Sequence, residues 1–380
     1  MALTGTRTYV GFGFGAIQAG LFLYEAYRSG NFRRLVVAEV LPDLVSNLRL
    51  AGGYYTVNVA YPDRIEPVRI GPVEINDPSV AADRERQVAA LAEAQEIGTA
   101  IPSVSYYQSS GPGSLHRLLA EGLRRKAAGG GQAAVVYAAE NHNHAAEILE
   151  ESVRDGAPEA VRAPVQFLNT VIGKMSGVIA DPEVIREHRL ATITPQDRRA
   201  FLVEAFNRIL ISRIQIRAGD GKSAFRRGIE VFEEKENLLP FEEAKLYGHN
   251  ATHALAAYVG AMAGARRITD LATVPGLLPF LRAAFIHESG AALVRKHAGV
   301  DPLFTPQGYA RYAGDLLARM ANPYLLDTVE RVGRDPARKL GWNERLVGTM
   351  RLALGQGIEP QRYAFGAAAA LALLDRKILE

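Results

Sequence analysis

The sequence predicts an α/β protein, with an N-terminal Rossmann-type doubly wound sheet followed by a mainly α-helical C-terminal domain. Three observations point there. A short strand, Thr8 to Phe12, runs into the glycine turn Gly13-Phe14-Gly15 and then into a helix carrying Leu21, Phe22, Tyr24 and Tyr27. Further apolar runs at Leu35 to Val40, Ala133 to Ala138 and Val165 to Ile172 alternate with helical stretches, the pattern of parallel βαβ units. Beyond about residue 240 such runs stop, and residues 254–264, 277–285, 309–320 and 345–354 read as helices. A chain of 380 residues suits two domains, placed at 1–215 and 216–380 within a boundary zone of about 190 to 240.

The first elements carry a nucleotide signal. Glycines in a strand-to-helix turn let backbone approach a diphosphate, whose charge a helix N-terminus favours. Gly13, Gly15, Ala16 and Ile17 are the candidate contacts. The third glycine of the usual spacing is displaced from position 18, occupied by Gln18, to Gly20. Glu39 ends the second strand, 19 residues past Gly20, where a dinucleotide fold places its ribose-binding acid. A carboxylate there favours NAD, because it would repel the 2′-phosphate of NADP; Arg33 and Arg34 pull the other way. An ordinary tight βα turn is the plain alternative.

Residues 54–74 alternate polar and apolar, as a hairpin or sheet edge does. Residues 81–96 and 115–126 read as helices, and 129–131 as a glycine loop. The strand 133–138 delivers Glu140, Asn141, His142, Asn143 and His144 to its C-terminal end, where doubly wound sheets bind ligands. Glu140 and Asn141 are therefore candidate cofactor contacts. His142 and His144 match no metal-ligand spacing, and Asn141 or Asn143 would equally serve as a helix cap. The strand 165–172 ends in Asn169 and Thr170, with Lys174 just after. Thr194-Pro195 reads as the start of a helix through Phe201, Val203 and Phe206, and Gly219-Asp220-Gly221 as a break.

The chemistry concentrates in Glu242-Glu243-Ala244-Lys245-Leu246-Tyr247-Gly248-His249-Asn250-Ala251-Thr252-His253, which opens an apolar helix. At about 100° per residue, His249, Glu242 and His253 fall within ~80° of Lys245, and Asn250 near ~140°. Of 44 cationic side chains only 8 are Lys. Lys can lose its proton near neutral pH when desolvated, which Arg cannot, so Lys245 is a candidate general base. The plain alternative is a surface Lys paired with Glu242. Later, Arg331, Arg334, Arg338 and Lys339 form a cation-dense stretch fit for an anionic or polyhydroxylated ligand, or for a solvated face paired with Asp327, Glu330 and Asp335.

Composition excludes some classes. A net charge of +3 without Lys/Arg blocks argues against nucleic acid as a partner. Zero Cys removes disulfides, thiolate metal sites and Cys nucleophiles, and agrees with a cytoplasmic setting. Residues 1–7 lack a signal pattern, and apolar runs such as 364–374 are too short to span a bilayer, so no membrane partner is expected. Oligomeric state stays open.

Together these segments resemble the polyol-specific long-chain dehydrogenases, the mannitol dehydrogenase family, and most of all its mannitol-1-phosphate 5-dehydrogenase branch. The carriers are Lys245-x4-Asn250-x2-His253, Gly13 to Gly20, Gly111-Pro112, Ala139-Glu140-Asn141, Asn169-Thr170-Val171, Asn322-Pro323 and Arg331 through Leu340. The resemblance implies a zinc-independent enzyme that interconverts a sugar alcohol, or its phosphate, and a ketose with NAD(H) or NADP(H); with Glu39 the expected cofactor is NAD. It implies Lys245 as general base, and Asn169 and Asn250 as hydrogen-bond donors to the reacting oxygen. His253 would orient hydroxyls, Glu242 would help relay the proton, and Arg331 and Lys339 would touch substrate. Gly173-Lys174 stands where the family usually has Asp-Arg; Lys174 keeps the charge, as a candidate substrate contact, but loses the guanidinium fork, which weakens the phosphate reading, and His249 and the 142–144 cluster are also departures. Mannitol 2-dehydrogenase, hexuronate reductase and a catalytically inactive nucleotide sensor are the alternatives.

Overall fold

A computed structural model describes residues 3–156, 163–218 and 222–379; the expected break at Gly219-Asp220-Gly221 lies outside them. The chain divides into two compact units, residues 1–60 with 65–238, and residues 61–64 with 239–380. Among the described residues the first unit holds twelve strands: β1 (Arg7–Phe12), β2 (Phe32–Ala38), β3 (Tyr55–Ala60), β4 (Ile65–Ile70), β5 (Glu74–Asn76), β6 (Glu96–Thr99), β7 (Ala134–Ala138), β8 (Val165–Ile172), β9 (Ser176–Ile179), β10 (Ala200–Glu204), β11 (Ile209–Ser212) and β12 (Phe232–Lys235). Residues 216–238 belong to this unit, not to the second as the boundary at 215 had it, because β12 pairs in register with β11.

The main sheet runs β12-β11-β8-β7-β6-β1-β2-β5. From β8 to β5 every pair is parallel, and β11 joins β8 antiparallel. The order reverses at β1, with β2 on one side and β6 on the other. In doubly wound sheets ligands bind outside the strand C-termini at such a reversal. The expected Rossmann-type class is thus observed, with a second, four-stranded sheet, β4-β3-β10-β9, added to it. The alternating residues 55–70 do form a hairpin, β3 with β4.

Two elements depart from expectation. The helix expected through Phe201 and Val203 is a strand, β10, pairing with both β3 and β9. All five of its residues are buried, and a short run of four apolar residues closed by Glu204 has no periodicity to separate the two states. The helix expected over 81–96 ends at Glu93, and Glu96 opens the central strand β6. Its one apolar residue is Ile97, so it gave no strand signal. Glu96 is fully buried and accepts hydrogen bonds from Tyr137 Oη at 2.9 Å and from the Ile229 and Gly228 backbone. Burial still pushes its carboxyl above the usual range.

The displaced glycine now has a reason. Gln18 lies against Gly11, where an added Cβ would come within 2.1 Å of Gln18 Nε2, and it donates to Tyr9 Oη at 2.8 Å. Gly20 takes the packing role instead, since a Cβ there would meet Val203 Cγ1 of β10 at 2.4 Å. The helix is π-helical over Gln18–Leu23, which carries Gly20 onto that strand.

The second unit is helical, as expected. Its lysine helix is continuous over 239–262 and is π-helical at Ala244–Asn250. The helix Leu277–Lys296 is long and apolar enough to cross a membrane by length and composition, which the sequence reading missed; half of it is buried, with Leu281, Phe285 and Leu293 in the core.

Gly20→Ala is expected to destabilise the fold by about 1–3 kcal/mol through overpacking, with Gly20→Ala/Val203→Ala recovering part of the loss. Thermal melting of both variants checks this; an unchanged melting temperature for Gly20→Ala would show that helix and strand separate freely.

Candidate active site

The first unit gathers its candidates at the strand C-termini. Gly13 has φ +79°, and a Cβ there would lie 2.9 Å from the Ala100 carbonyl, so the turn needs glycine. Gly15 differs: nothing lies within 4 Å of an added Cβ. Packing does not demand that glycine, and the open space in front of it leads to the N-terminus of the helix starting at Ala16. This is the space a diphosphate would use, with the amides of Ala16 and Ile17 beside it.

Glu39 is buried behind the turn. Its Oε2 accepts from Phe14 N at 2.6 Å, and its Oε1 from Val40 N at 2.7 Å and Leu41 N at 2.9 Å. A carboxylate offers roughly four lone-pair positions, so one acceptor position is left for a ribose hydroxyl. The residues present therefore fit a dinucleotide.

Glu140 is also buried, but its oxygens are held by Thr99 Oγ1 at 2.8 Å, Ile101 N at 2.9 Å and Tyr107 Oη. It braces the loop after β6, whose Ala100 carbonyl faces Gly13, so it shapes the turn from behind. Asn141, His142 and His144 are exposed, and among the described residues no group of three or more His, Cys, Asp or Glu gathers as a metal site. The helix Ala145–Gly156 is capped from elsewhere: Asn169 Oδ1 accepts from Ala146 N at 2.9 Å and its Nδ2 donates to Glu147 at 2.7 Å. Neither this cap nor the seat of Lys174 was foreseen. Lys174 is buried, donating to the Phe206 carbonyl at 3.1 Å and Asn207 Oδ1 at 3.0 Å, so it braces the first unit.

The second unit brings most of the other candidates together. In a π-helix backbone hydrogen bonds run i→i+5, so residues five apart sit one above the other. Lys245 and Asn250, set ~140° apart by an ordinary helical wheel, thereby share a face. Lys245 is held down to about 8 by desolvation, with the Arg345 guanidinium adding to it and Glu242 opposing. His249 is buried, its ring centroid 6.3 Å from that of His253, and is kept well below the usual histidine range by burial and by His253.

His253 is pushed down to about 3 by burial, then by Arg331, Arg345 and Lys339. Both effects favour the neutral ring. Its Nε2 is buried without a hydrogen-bond partner; Asp327 Oδ2, at 3.7 Å, is too far, and Asp327 is engaged by Arg331. A buried ring nitrogen in this state calls for a ligand hydroxyl. Lys339 is buried over the Tyr258 ring at 6.0 Å, donates to the Arg334 carbonyl, and is held down to about 8 by burial and Arg345. Arg334 and Arg338 are exposed, Arg338 pairing with Asp335 at 2.7 Å. The sequence reading missed Arg345, which looked like the first residue of an ordinary helix.

A Rossmann-type unit with an open glycine turn and a helical unit carrying a desolvated lysine define a two-domain protein of the dehydrogenase fold. Residues 237–377 match the mannitol dehydrogenase C-terminal domain family. Among solved structures, it is similar to a D-sorbitol dehydrogenase in substrate-free form, at 16% identity and TM-score 0.76, over 98% of this chain and 81% of that one. It is similar also to the Pseudomonas fluorescens mannitol 2-dehydrogenase solved with NAD and D-mannitol, at 17% identity and TM-score 0.69, over 97% and 80%. A 2-dehydropantoate 2-reductase from Geobacter metallireducens GS-15 aligns at 12% identity and TM-score 0.51, over 96% and 99%. At these identities the likeness is one of fold.

Within the π turn Gly248 admits two rings to the helix surface: a Cβ there would meet Tyr309 Oη at 2.3 Å and Phe285 Cε2 at 2.9 Å. Gly248→Ala is expected to cost about 1–3 kcal/mol and to disturb the Lys245–Asn250 alignment. Thermal melting together with the Lys245 titration, followed by NMR of 13C-methylated lysines, tests this; a variant with wild-type stability and an unmoved Lys245 resonance would contradict it.

Proposed function

We propose that this chain is an NAD-dependent oxidoreductase that interconverts a sugar alcohol, or its phosphate, and the corresponding ketose without a metal. The favoured pair is mannitol 1-phosphate and fructose 6-phosphate. The observation that carries this reading is Lys245, a desolvated amine one π turn from a carboxamide and near a neutral imidazole with an unmet hydrogen bond. The family match over 237–377 supports it, as do the names of the similar structures.

NAD, when bound, supplies the acceptor for hydride. The protein's own residues do the rest. Oxidation of a secondary alcohol leaves a proton on oxygen as hydride leaves carbon, so an acceptor for that proton is required. Neutral Lys245 takes it. The Asn250 amide donates to the same oxygen as negative charge grows there. His253 Nε2 holds a neighbouring hydroxyl, and Glu242, in the preceding turn, helps pass the proton outward. Arg331 and Lys339 bind the rest of the substrate. In the first unit, Gly13, Gly15, Ala16 and Ile17 receive the diphosphate and Glu39 the ribose, with Glu140 fixing the loop that flanks them.

The base is the neutral amine, whose fraction grows as pH rises through about 8. Polyol oxidation should rise across that interval and level off above it, while ketose reduction, which needs the ammonium, should fall. Lys245→Ala should lower kcat by roughly 100- to 10,000-fold with little change in NADH affinity. Steady-state kinetics with NADH fluorescence titration measures both; an unaltered kcat would remove Lys245 from the reaction.

For the cofactor, Glu39→Ala should shift the ratio of kcat/KM for NAD over NADP toward NADP by roughly tenfold, one charge-assisted contact's worth. Kinetics with each cofactor decides, and an unmoved ratio would deny Glu39 its part in selection.

A further inference from the structure

We propose that Arg345 is the contact for an oxyanion carried by the substrate, a phosphate or carboxylate set away from the reacting carbon, with Lys339 as the second ligand. The inference rests on the polyol dehydrogenase reading.

The backbone here is pinned. Leu346 N donates to the Lys339 carbonyl at 3.1 Å, and the Arg345 carbonyl accepts from Thr349 Oγ1 at 2.5 Å. The backbone of the two residues is therefore joined, and the Arg345 charge is felt at Lys339. Arg345 Nε is buried and has no hydrogen-bond partner. The guanidinium lies close enough to Lys245, His249, His253 and Lys339 to disfavour a proton on each. Of the carboxylates of this region, Asp327 is engaged by Arg331 and Asp335 by Arg338, which also lies 3.9 Å from Glu344; Glu344 and Asp335 favour the charge on Arg345, but burial and Arg338 outweigh them.

A buried ammonium beside a half-buried guanidinium, with mutual repulsion and an unmet buried N–H, calls for a partner that is both acceptor and anion. A neutral polyol would meet the hydrogen bond but leave the charge unbalanced. A phosphate or carboxylate does both, and its paired oxygens suit the guanidinium fork. The cofactor's diphosphate has its own place in the first unit, at the open glycine turn and helix N-terminus. The anion at Arg345 is therefore assigned to the substrate.

The experiment compares wild type, Arg345→Gln and Arg345→Lys, each first shown to melt as a folded protein. kcat/KM is measured at saturating NAD for mannitol 1-phosphate, mannonate and mannitol, and inorganic phosphate is titrated into each protein by calorimetry. Wild type should prefer one of the two anionic substrates, and which one identifies the oxyanion. Arg345→Gln should lower the anionic-to-neutral kcat/KM ratio by roughly 30-fold, mainly through KM, with part restored in Arg345→Lys. Phosphate should bind wild type and not Arg345→Gln. A wild-type preference for mannitol, an unchanged ratio in Arg345→Gln, or an effect confined to the KM for NAD would overturn the assignment. If no substrate is turned over, the dehydrogenase reading fails. Calorimetry still judges the anion site: phosphate binding lost in Arg345→Gln upholds it, and none to wild type refutes it.

Discussion

The second unit depends on a partly buried, desolvated amine set among other cations. Lys245 in solvent would hold its proton to pH 10 and above, and would be useless as a base at neutrality. Two effects act in one direction here, desolvation first and the Arg345 charge second, while Glu242 limits the shift. Burial first, and nearby cations second, with Arg345 common to both, push His249 and His253 down, so both rings favour the neutral, hydrogen-bonding form. A single electrostatic condition thus sets the protonation state of the base and of its neighbours. It also explains why Asp327 must be tied to Arg331: a loose carboxylate 3.7 Å from His253 would invite a proton onto the ring.

Rarity of lysine proved a weaker clue than it looked. Lys126 is buried, its ammonium on the Ala94 carbonyl at 2.6 Å and the Gln132 carbonyl at 3.1 Å, and it too is held down to about 8. Lys174 and Lys339 likewise sit on backbone carbonyls. In this chain lysine serves where a compact ammonium must brace buried backbone, a place the wider guanidinium does not fit. What separates Lys245 is its surroundings, a carboxamide and two imidazoles on its own helix and a guanidinium beside it. A depressed ammonium pKa alone would have marked Lys126 and Lys339 equally.

The fold was legible where side chains carry periodicity or punctuation. Gly13 and Gly15, the acid at Glu39 and the apolar strands 134–138 and 165–172 all appear where the residues place them. β6 was hidden because its burial comes from a glutamate, Glu96, satisfied by donors from Tyr137 and residues 228–229, far away in sequence. β10 was hidden because five buried residues carry no period. Asn169 was legible as a functional-looking amide, but its capping of the helix Ala145–Gly156 is a tertiary relation with no local trace. Arg345 escaped for the same reason: its neighbours are 92 to 100 residues away in Lys245, His249 and His253, and only folding brings them near.

The helical wheel failed in one informative place. It put Asn250 well around the helix from Lys245, and a regular helix would have kept it there. A π turn is rare and is not favoured by local propensity, so its persistence over 244–250 must come from what packs on it. Gly248 admits the Phe285 and Tyr309 rings to the helix surface, and Phe285 itself belongs to a second π-helical stretch, Ala284–Gly290, packed against the first. The alignment of base and amide is therefore a product of tertiary packing by residues that touch neither group. Such a site tolerates little change in its aromatic neighbours, and the residues that matter to its geometry outnumber those that carry its chemistry.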